Sequence, residues 1–433
     1  MVRNVRVFLD RVRTGAQTQW MIRMRRKDFQ QCFAEKQKQL VARLGLNGEM
    51  KAWPITLRKL QDIELSIPIR LFHYNDEWVL GPILGILTSV RGQTFGGNRT
   101  DHRDLSRMGK HTHTCVFVLT PESIVYEQNQ IHGYVWTGYK NKPWVLVDLP
   151  IPDVVYNRIP NRARERDAMA IEAKQWLIKK TKGHLYNSRF FNKVELMKYM
   201  SDSEETRIYL PRTEIFQSRN QLIQWLRNRP IIYVKPANGT IGQGIIRIDR
   251  SYSGWTIKKQ LQGEQIVRHY QQLQPAVSTI SQWIARGNYI IQEGVQLANW
   301  QGRIFDFRVL LQKDRRHRWK VTGLGARVAG LDGITTHVPN GGKIANAKQV
   351  LEDVFPGNSA RIYNEIKHLA LVSAQQIEKN ISNVGEMSMD IGVDDNGKPW
   401  FIEANAKPMK FDEPTIRLRS LLRIIHYAEG LYV

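Results

Sequence analysis

The chain has 433 residues, with 64 Lys and Arg against 40 Asp and Glu, a formal net charge of +24, and 42% hydrophobic residues. That much apolar material excludes a disordered chain, and the length predicts roughly two to four domains. The charge predicts a surface that attracts polyanions in a salt-dependent way, while only two cysteines, Cys32 and Cys115, exclude a disulfide-stapled scaffold or a Cys-rich zinc site.

The longest apolar run, residues 78–90, contains Pro82 and falls short of the ~20 residues needed to span a bilayer. Charges throughout the first residues leave no apolar signal-peptide core, and the low cysteine count makes a reducing cytoplasm the expected compartment. Residues 1–77 read as a small basic module, because residues 1–60 hold 14 Lys and Arg against 4 Asp and Glu, a net +10 of the +24. Within it, residues 28–44 read as a helix ending near Gly45. Residues 64–72 alternate Leu65, Ile67, Ile69 and Leu71 like a half-buried strand, which Pro68 assigns to a sheet edge. The basic run from Arg23 to Lys27 is either a solvated face or a polyanion site.

From residue 78, apolar strands at 79–88, 115–119, 144–148 and 154–156 alternate with polar and helical stretches. This predicts an α/β domain over residues 78–165 with a largely parallel sheet. Asp101, His102, Asp104, His111, His113 and Cys115 imitate a metal cluster, but the spacing lacks a second half and the stretch reads as a loop or strand entry. A charged helix at 161–180 and another at 194–200 follow. A separate lobe, residues 166–285, is then expected, with a strand at 207–210, a helix at 218–227 and a strand at 231–235 ending in Lys235. After that lysine come Gly239, Gly242 and Gly244 and a second strand. Glycine-rich backbone can turn N–H groups onto phosphates. No lysine follows the last glycine and no helix begins there, so the P-loop and Rossmann fingerprints both fail.

Residues 286–433 read as a C-terminal lobe. Phe305, Phe307 and Val309 alternate with Asp306 and Arg308, which puts the two charges on one strand face, as a site or as a buried ion pair. Arg327 ends a strand at 319–326, a loop Asn340-Gly341-Gly342-Lys343 follows, and helices at 346–355 and 359–379 lead into a hairpin over residues 387–407. Its Asn396-Gly397 predicts a two-residue turn. That register sets Asp390 opposite Glu403, with Ser388 and Asn405 on the same face and Ile391, Val393, Trp400, Ile402 and Ala404 on the core face. Opposed carboxylates repel, so the pair is either solvated or shares a proton or a cation; with Asn405 the oxygen donors suit Mg²⁺ or Mn²⁺.

The order Asp390, Glu403, Asn405 resembles the metal-binding end of the ATP-grasp superfamily. The stretches Val-Val-Tyr-Asn-Arg-Ile (154–159), Phe-Phe-Asn-Lys (190–193), Tyr-Leu-Pro-Arg-Thr-Glu (209–214) and Phe-Asp-Phe-Arg-Val-Leu (305–310) resemble the endospore coat-associated ATP-grasp proteins, from about residue 78 to the C-terminus. The resemblance implies an α/β class protein with α+β lobes: an ATP-grasp fold behind an α/β domain and the basic module. It implies Mg²⁺ (or Mn²⁺) on Asp390, Glu403 and Asn405, with ATP phosphates on Lys235 and Lys193 under the loop of Gly239, Gly242 and Gly244. It also implies Gln292 and Glu293 at adenine and ribose, Asp306 beside the nucleotide, and Arg327 and Arg308 at the transferring phosphate. Ser388 stands where many members carry a basic residue and Met409 where they often carry glycine, both on the acceptor side, next to Lys407 as a candidate substrate contact.

The implied function is an ATP-dependent ligase that joins an unidentified carboxylate to an amine or thiol through an acyl phosphate, with a link to the spore coat. The alternative is a non-catalytic nucleotide-binding or coat-assembly protein that docks on polyanions through its basic module. A nucleic-acid reader would rest on charge alone.

Overall fold

The computed structural model describes residues 4–14, 17–33, 37–237, 244–261, 264–284, 288–330, 336, 342–411 and 413–432. Four main sheets account for the chain.

The N-terminal sheet is a closed barrel of six strands, Asn4–Thr14, Gln17–Arg23, Gln39–Leu44, Met50–Thr56, Ile63–Tyr74 and Glu77–Gly81. The helix expected over residues 28–44 is only Arg26–Cys32, and Gln39–Leu44 is a strand. Leu40, Ala42 and Leu44 point inward in turn, a period of two that no helix would bury. Pro68 is not at an edge, since the closed barrel has none. It lies opposite Phe8, just before pairing with Glu77–Gly81 begins at Arg70, where its missing N–H costs no ladder bond. The barrel also runs past the expected boundary at residue 77.

The second sheet has a parallel centre, with Ile83–Leu87 between Cys115–Leu119 and Val154–Asn157, and then Leu185–Tyr186. Gln130–Trp136, Trp144–Pro150 and Ile124–Val125 add antiparallel strands, so the sheet is mixed instead of largely parallel. Leu185–Tyr186 and the helix Ala168–Lys180, whose Ala170, Ala173 and Leu177 are buried in this core, carry the domain beyond residue 165. The histidine-rich stretch is a helix, Arg99–Thr112, and not a loop: the Asn98 side chain accepts from Asp101 N, and His113 closes the other end at φ 55°.

The third sheet is antiparallel, in the order Thr213–Ile215, Tyr289–Glu293, Ile231–Pro236, Ile246–Ser251, Gly254–Gln260, Gln265–Tyr270. Helices Arg219–Asn228 and Leu273–Ile284 bury their apolar sides on it. Tyr289–Glu293 pairs inside this sheet, so the boundary expected at residue 286 falls too early. The strand expected at 207–210 is instead the end of the short helix Glu204–Arg207.

The fourth sheet has the order Lys343–Ala345, Trp319–Val328, Arg303–Lys313, Glu386–Val393, Pro399–Asn405. Phe305, Phe307, Val309, Met387, Met389 and Ile391 share one core with helices Ala347–Val354 and Ser359–Asn380. The opposite face carries Asp306, Arg308 and Asp390. The C-terminal helix Pro414–Tyr432 covers the far end of that face, where the Gln312 amide donates to Ser420 O and Oγ, both at 3.2 Å.

Candidate active site

The hairpin that carries the acidic pair turns differently from its sequence expectation and still reaches the same pairing. Asp394 N donates to Lys398 O at 3.0 Å and Gly397 N to Asp394 O at 2.9 Å, giving a three-residue loop, Asp395, Asn396 and Gly397, in which Gly397 takes φ 79°. Asp394 Oδ1 also accepts from Asn396 N and Lys398 N, which favours this longer loop over the two-residue turn. A β-bulge between Asp390 and Ile391 absorbs the extra residue, so Asp390 faces Glu403 and Ser388 faces Asn405. The bulge changes the sides of three residues. Phe401 opposes Ile391 and enters the core, while Trp400 and Ile402, expected in that core, line the cleft.

Three neighbouring strands bring the charges together. Arg308 pairs in register with Asp390, and Asp306 with Arg327. Arg308 grips Asp390 with two parallel bonds, Nε to Oδ1 and Nη2 to Oδ2, both 3.0 Å. Arg327 donates to Asp306 at 2.8 and 2.5 Å and reaches Asp390 Oδ2 at 2.8 Å. Burial alone would lower the Arg327 pKa, but Asp306 and Asp390 outweigh it and raise it above the ordinary value. Among the described residues, buried Arg327 Nη1 has no hydrogen-bond partner. Glu403 accepts from Asn405 Nδ2 at 3.1 Å and pairs with Lys193 Nζ at 3.2 Å. Lys193 is held at the first turn of helix Lys193–Ser201, whose N-cap Asn192 accepts from Val194 N and Glu195 N.

From the third sheet comes Lys235, whose Nζ donates to Gln292 Oε1 at 2.5 Å; Gln292 in turn donates to Thr213 Oγ1 at 2.9 Å. Burial pushes the Lys235 ammonium down to about 8, nearby Lys193 adds to the shift, and Glu403 opposes it. Glu293 lines the cleft mouth, 3.8 Å from Arg229.

Lys193, Lys235, Gln292, Glu293, Asp306, Arg327, Asp390 and Glu403 thus border one cleft between the third and fourth sheets. Arg308 and Asn405 stand behind the carboxylates they touch. Gly239 and Gly242, with Asn340 and Gly341, lie outside the described residues. Gly244 takes φ 72° and donates to Gln260 O at 2.9 Å.

Lys407, the candidate substrate contact, is buried and donates to Glu165 Oε1 at 2.6 Å and to Ile159 O at 3.2 Å. Sequence reasoning missed Thr336, which donates to Asp306 Oδ2 at 2.5 Å, and the apolar walls Met197, Tyr233, Ile304 and Ile402. Tyr233 was within reach, since it shares a strand face with Lys235 two residues on. The oxygen donors of Asp390, Glu403 and Asn405 fit a hard divalent cation, although both Asp390 oxygens already accept from guanidinium.

Two antiparallel sheets closing on a cleft, with Lys235 on one, a carboxylate hairpin on the other and Lys193 reaching in from a helix start, define an ATP-grasp protein. The YheC/D like ATP-grasp family matches residues 182–431, and the chain belongs to that family. The chain is 28% identical over 345 residues to the endospore coat-associated protein YheD of Bacillus subtilis (strain 168), covering 78% of this chain and 75% of that one. It is 17% identical over 292 residues to YheC of the same organism, covering 67% and 78%. Among solved structures it is similar to the ATP-grasp ligase PsnB with its minimal precursor (TM-score 0.47, 12% identity, 81% of this chain and 99% of that one). It is likewise similar to the VanG D-Ala:D-Ser ligase of Enterococcus faecalis (0.47, 13%, 82% and 100%).

Proposed function

We propose that this chain is an ATP- and Mg²⁺-dependent ligase that activates a carboxylate as an acyl phosphate for capture by an amine or thiol. The observation that carries this is the convergence of Lys193, Lys235 and Arg327 with Asp390 and Glu403 on one cleft. Lys235 holds a partly buried positive charge whose hydrogen-bond partner is the neutral Gln292 amide, as a residue awaiting an anion would. Arg327, fixed between two carboxylates, offers Nη1 to a phosphoryl oxygen, and a guanidinium fork suits charge spread over three oxygens. Mg²⁺ on Asp390, Glu403 and Asn405 would supply charge neutralisation at the β- and γ-phosphates. The acceptor carboxylate oxygen then attacks the γ-phosphorus as the bond to ADP breaks, and the amine or thiol displaces phosphate from the acyl carbon. The residues position and stabilise charge throughout, with no covalent protein nucleophile.

Association with a spore coat belongs to the same proposal and rests on the relatives' names. The test is Mg-ATP-dependent phosphate release across amino acids, short peptides and small acids. Release with no acid in the panel, together with no Mg-ATP effect on melting, would refute the ligase reading.

A further inference from the structure

Beyond the nucleotide cleft, on the same face of the fourth sheet, lies a second and smaller pocket. Asp306 and Asp390 border the first cleft, while Leu310 and Glu386, four residues away on the same two strands, border the second. Two residues of strand advance about 6.8 Å, so this pocket begins one side-chain step past the point where Arg308 holds Asp390. Ser388, the departure from the family pattern, sits at that step, and Met409, the other departure, stands at the pocket mouth, 69% exposed.

The pocket has mostly apolar walls, among them Leu105, Leu310, Leu421 and Ile424, and three polar side chains with unsatisfied atoms. Arg158 donates through Nη2 to Pro408 O at 3.0 Å and lies 3.8 Å from Asp101 and 3.9 Å from Glu386, beyond hydrogen-bond reach of either, and its buried Nη1 has no hydrogen-bond partner among the described residues. Arg417 is held by Asp101 and Asp104 at 2.7 and 3.1 Å, and its Nε is unpartnered. His102, 2% exposed, has an unpartnered Nδ1; burial first, then Arg158 and Arg99, push its pKa down to about 3, which keeps it neutral. Buried donors without acceptors are costly and rare in folded proteins. Here two guanidinium N–H groups of that kind line one cavity beside an imidazole nitrogen that donates or accepts according to its tautomer, and each guanidinium can take a further anionic oxygen. Tyr156 and Gln312 donate to the two oxygens of Glu386, which stays 3.9 Å from Arg158 as an ion pair without a hydrogen bond.

We infer that this pocket is the acceptor subsite of the ligase reaction, taking a small carboxylic acid with an apolar body and holding its carboxylate on Arg158 and Arg417. The inference rests on the ligase reading for its purpose, and its test separates the two. Thermal shift and calorimetry would compare 4-methylpentanoate, 4-methylpentanamide and L-leucine, each with a non-hydrolysable ATP analogue and Mg²⁺. Selective binding of the two acids over the amide is expected, weakened at least tenfold in Arg158→Gln and in Met409→Trp, which narrows the mouth from an exposed position. Both variants should keep the wild-type melting increment from Mg-ATP. Should Arg158→Gln fail to fold, Met409→Trp alone carries the test. Equal binding of acid and amide, or acid affinity unchanged in Met409→Trp, overturns the subsite. Loss of the Mg-ATP increment in wild type would instead overturn the ligase reading.

Discussion

Lys235 and Arg327 line the same cleft from opposite sheets, and the fold treats their charges in opposite ways. Arg327 lies between Asp306 and Asp390, and Arg308 adds a second guanidinium to Asp390, so the hairpin side is compensated within the protein. Lys235 has a glutamine amide as its partner and a lowered pKa. The carboxylate side is thus built to stand without ligand, whereas the lysine side carries an unspent preference for an anion. Opposed carboxylates at Asp390 and Glu403 do not repel freely, as their register alone predicts, because Arg308, Arg327 and Lys193 already hold them.

The largest effect should come from breaking the compensated side. Arg327→Met leaves Asp306 and Asp390 buried with one guanidinium fewer, and removal of one partner from a buried pair costs about 3–5 kcal/mol. Urea unfolding should show that loss, and Asp306→Asn added to Arg327→Met should recover part of it. A loss under ~1 kcal/mol would mean that Arg308 and Thr336 suffice, and the comparison would fail on that side.

Next in size is the ligand increment. A ligand that binds only the folded state stabilises it by about 2.7 kcal/mol at a hundredfold excess over its dissociation constant. Mg-ATP should raise the melting temperature of wild type accordingly. Glu403→Gln should lose most of that increment, while its apo form loses the part-exposed ion pair with Lys193, worth ~1 kcal/mol or less. An equal Mg-ATP shift in both proteins would remove Glu403 from the metal set.

Lys235 gives a smaller effect whose sign depends on pH. A folded-state value of about 8, below the ordinary 10.5, means that the charged lysine penalises the apo fold below pH 8 and that this penalty fades as pH rises from 8 towards 10.5. A bound phosphate reverses the shift. ATP binding near pH 8 should therefore take up a proton, visible as a buffer-dependent heat, and affinity should fall above pH 8. Lys407 is also lowered to about 8, so the difference between wild type and Lys235→Met is the informative quantity. If Lys235→Met leaves ATP affinity unchanged, Lys235 is not the anion-seeking residue.

The parts of the site legible in sequence were those set by strand periodicity. Asp306 with Arg308, and Asp390 opposite Glu403, follow from alternation and register, and the structure keeps both. What stayed hidden depends on contacts between strands distant in the chain. Nothing local says that Arg308 lies beside Asp390, 82 residues away, or that Arg158 and Arg417 border one pocket. The hairpin shows the limit of turn chemistry: Asn396-Gly397 marks the turn, but the Asp394 side chain selects the longer loop, and a bulge then sends Phe401 inward in place of Ile402. In the N-terminal module, the barrel strand at residues 39–44 was masked by helix-compatible composition, with only Leu40, Ala42 and Leu44 to reveal the shorter period.

The smallest stability effect, and a sharp test of where the excess charge acts, belongs to the barrel. Four of its acids are committed: Asp10 to Arg23, Asp28 to Arg25, Glu64 to Arg11 and Glu77 to Arg43. Lys27, Lys38, Lys51, Arg58 and Lys59 are exposed, and among the described residues none has an ion-pair partner. Deleting residues 1–60 would destroy a closed barrel that continues to Gly81, so point changes are the proper probe. Changing Lys27, Lys51 and Lys59 to Gln should move stability by no more than about 0.5 kcal/mol per site, since each is a surface substitution away from packed or paired groups. Binding to an anionic polymer such as polyphosphate should weaken, and its log-log salt slope should become shallower by up to about one for each polymer charge no longer neutralised. The Mg-ATP melting increment should stay at its wild-type value, because these residues lie outside the nucleotide cleft. An unchanged salt slope would move the polyanion surface elsewhere, with the cationic cleft around Lys193 and Lys235 the next region to test by competition with ATP.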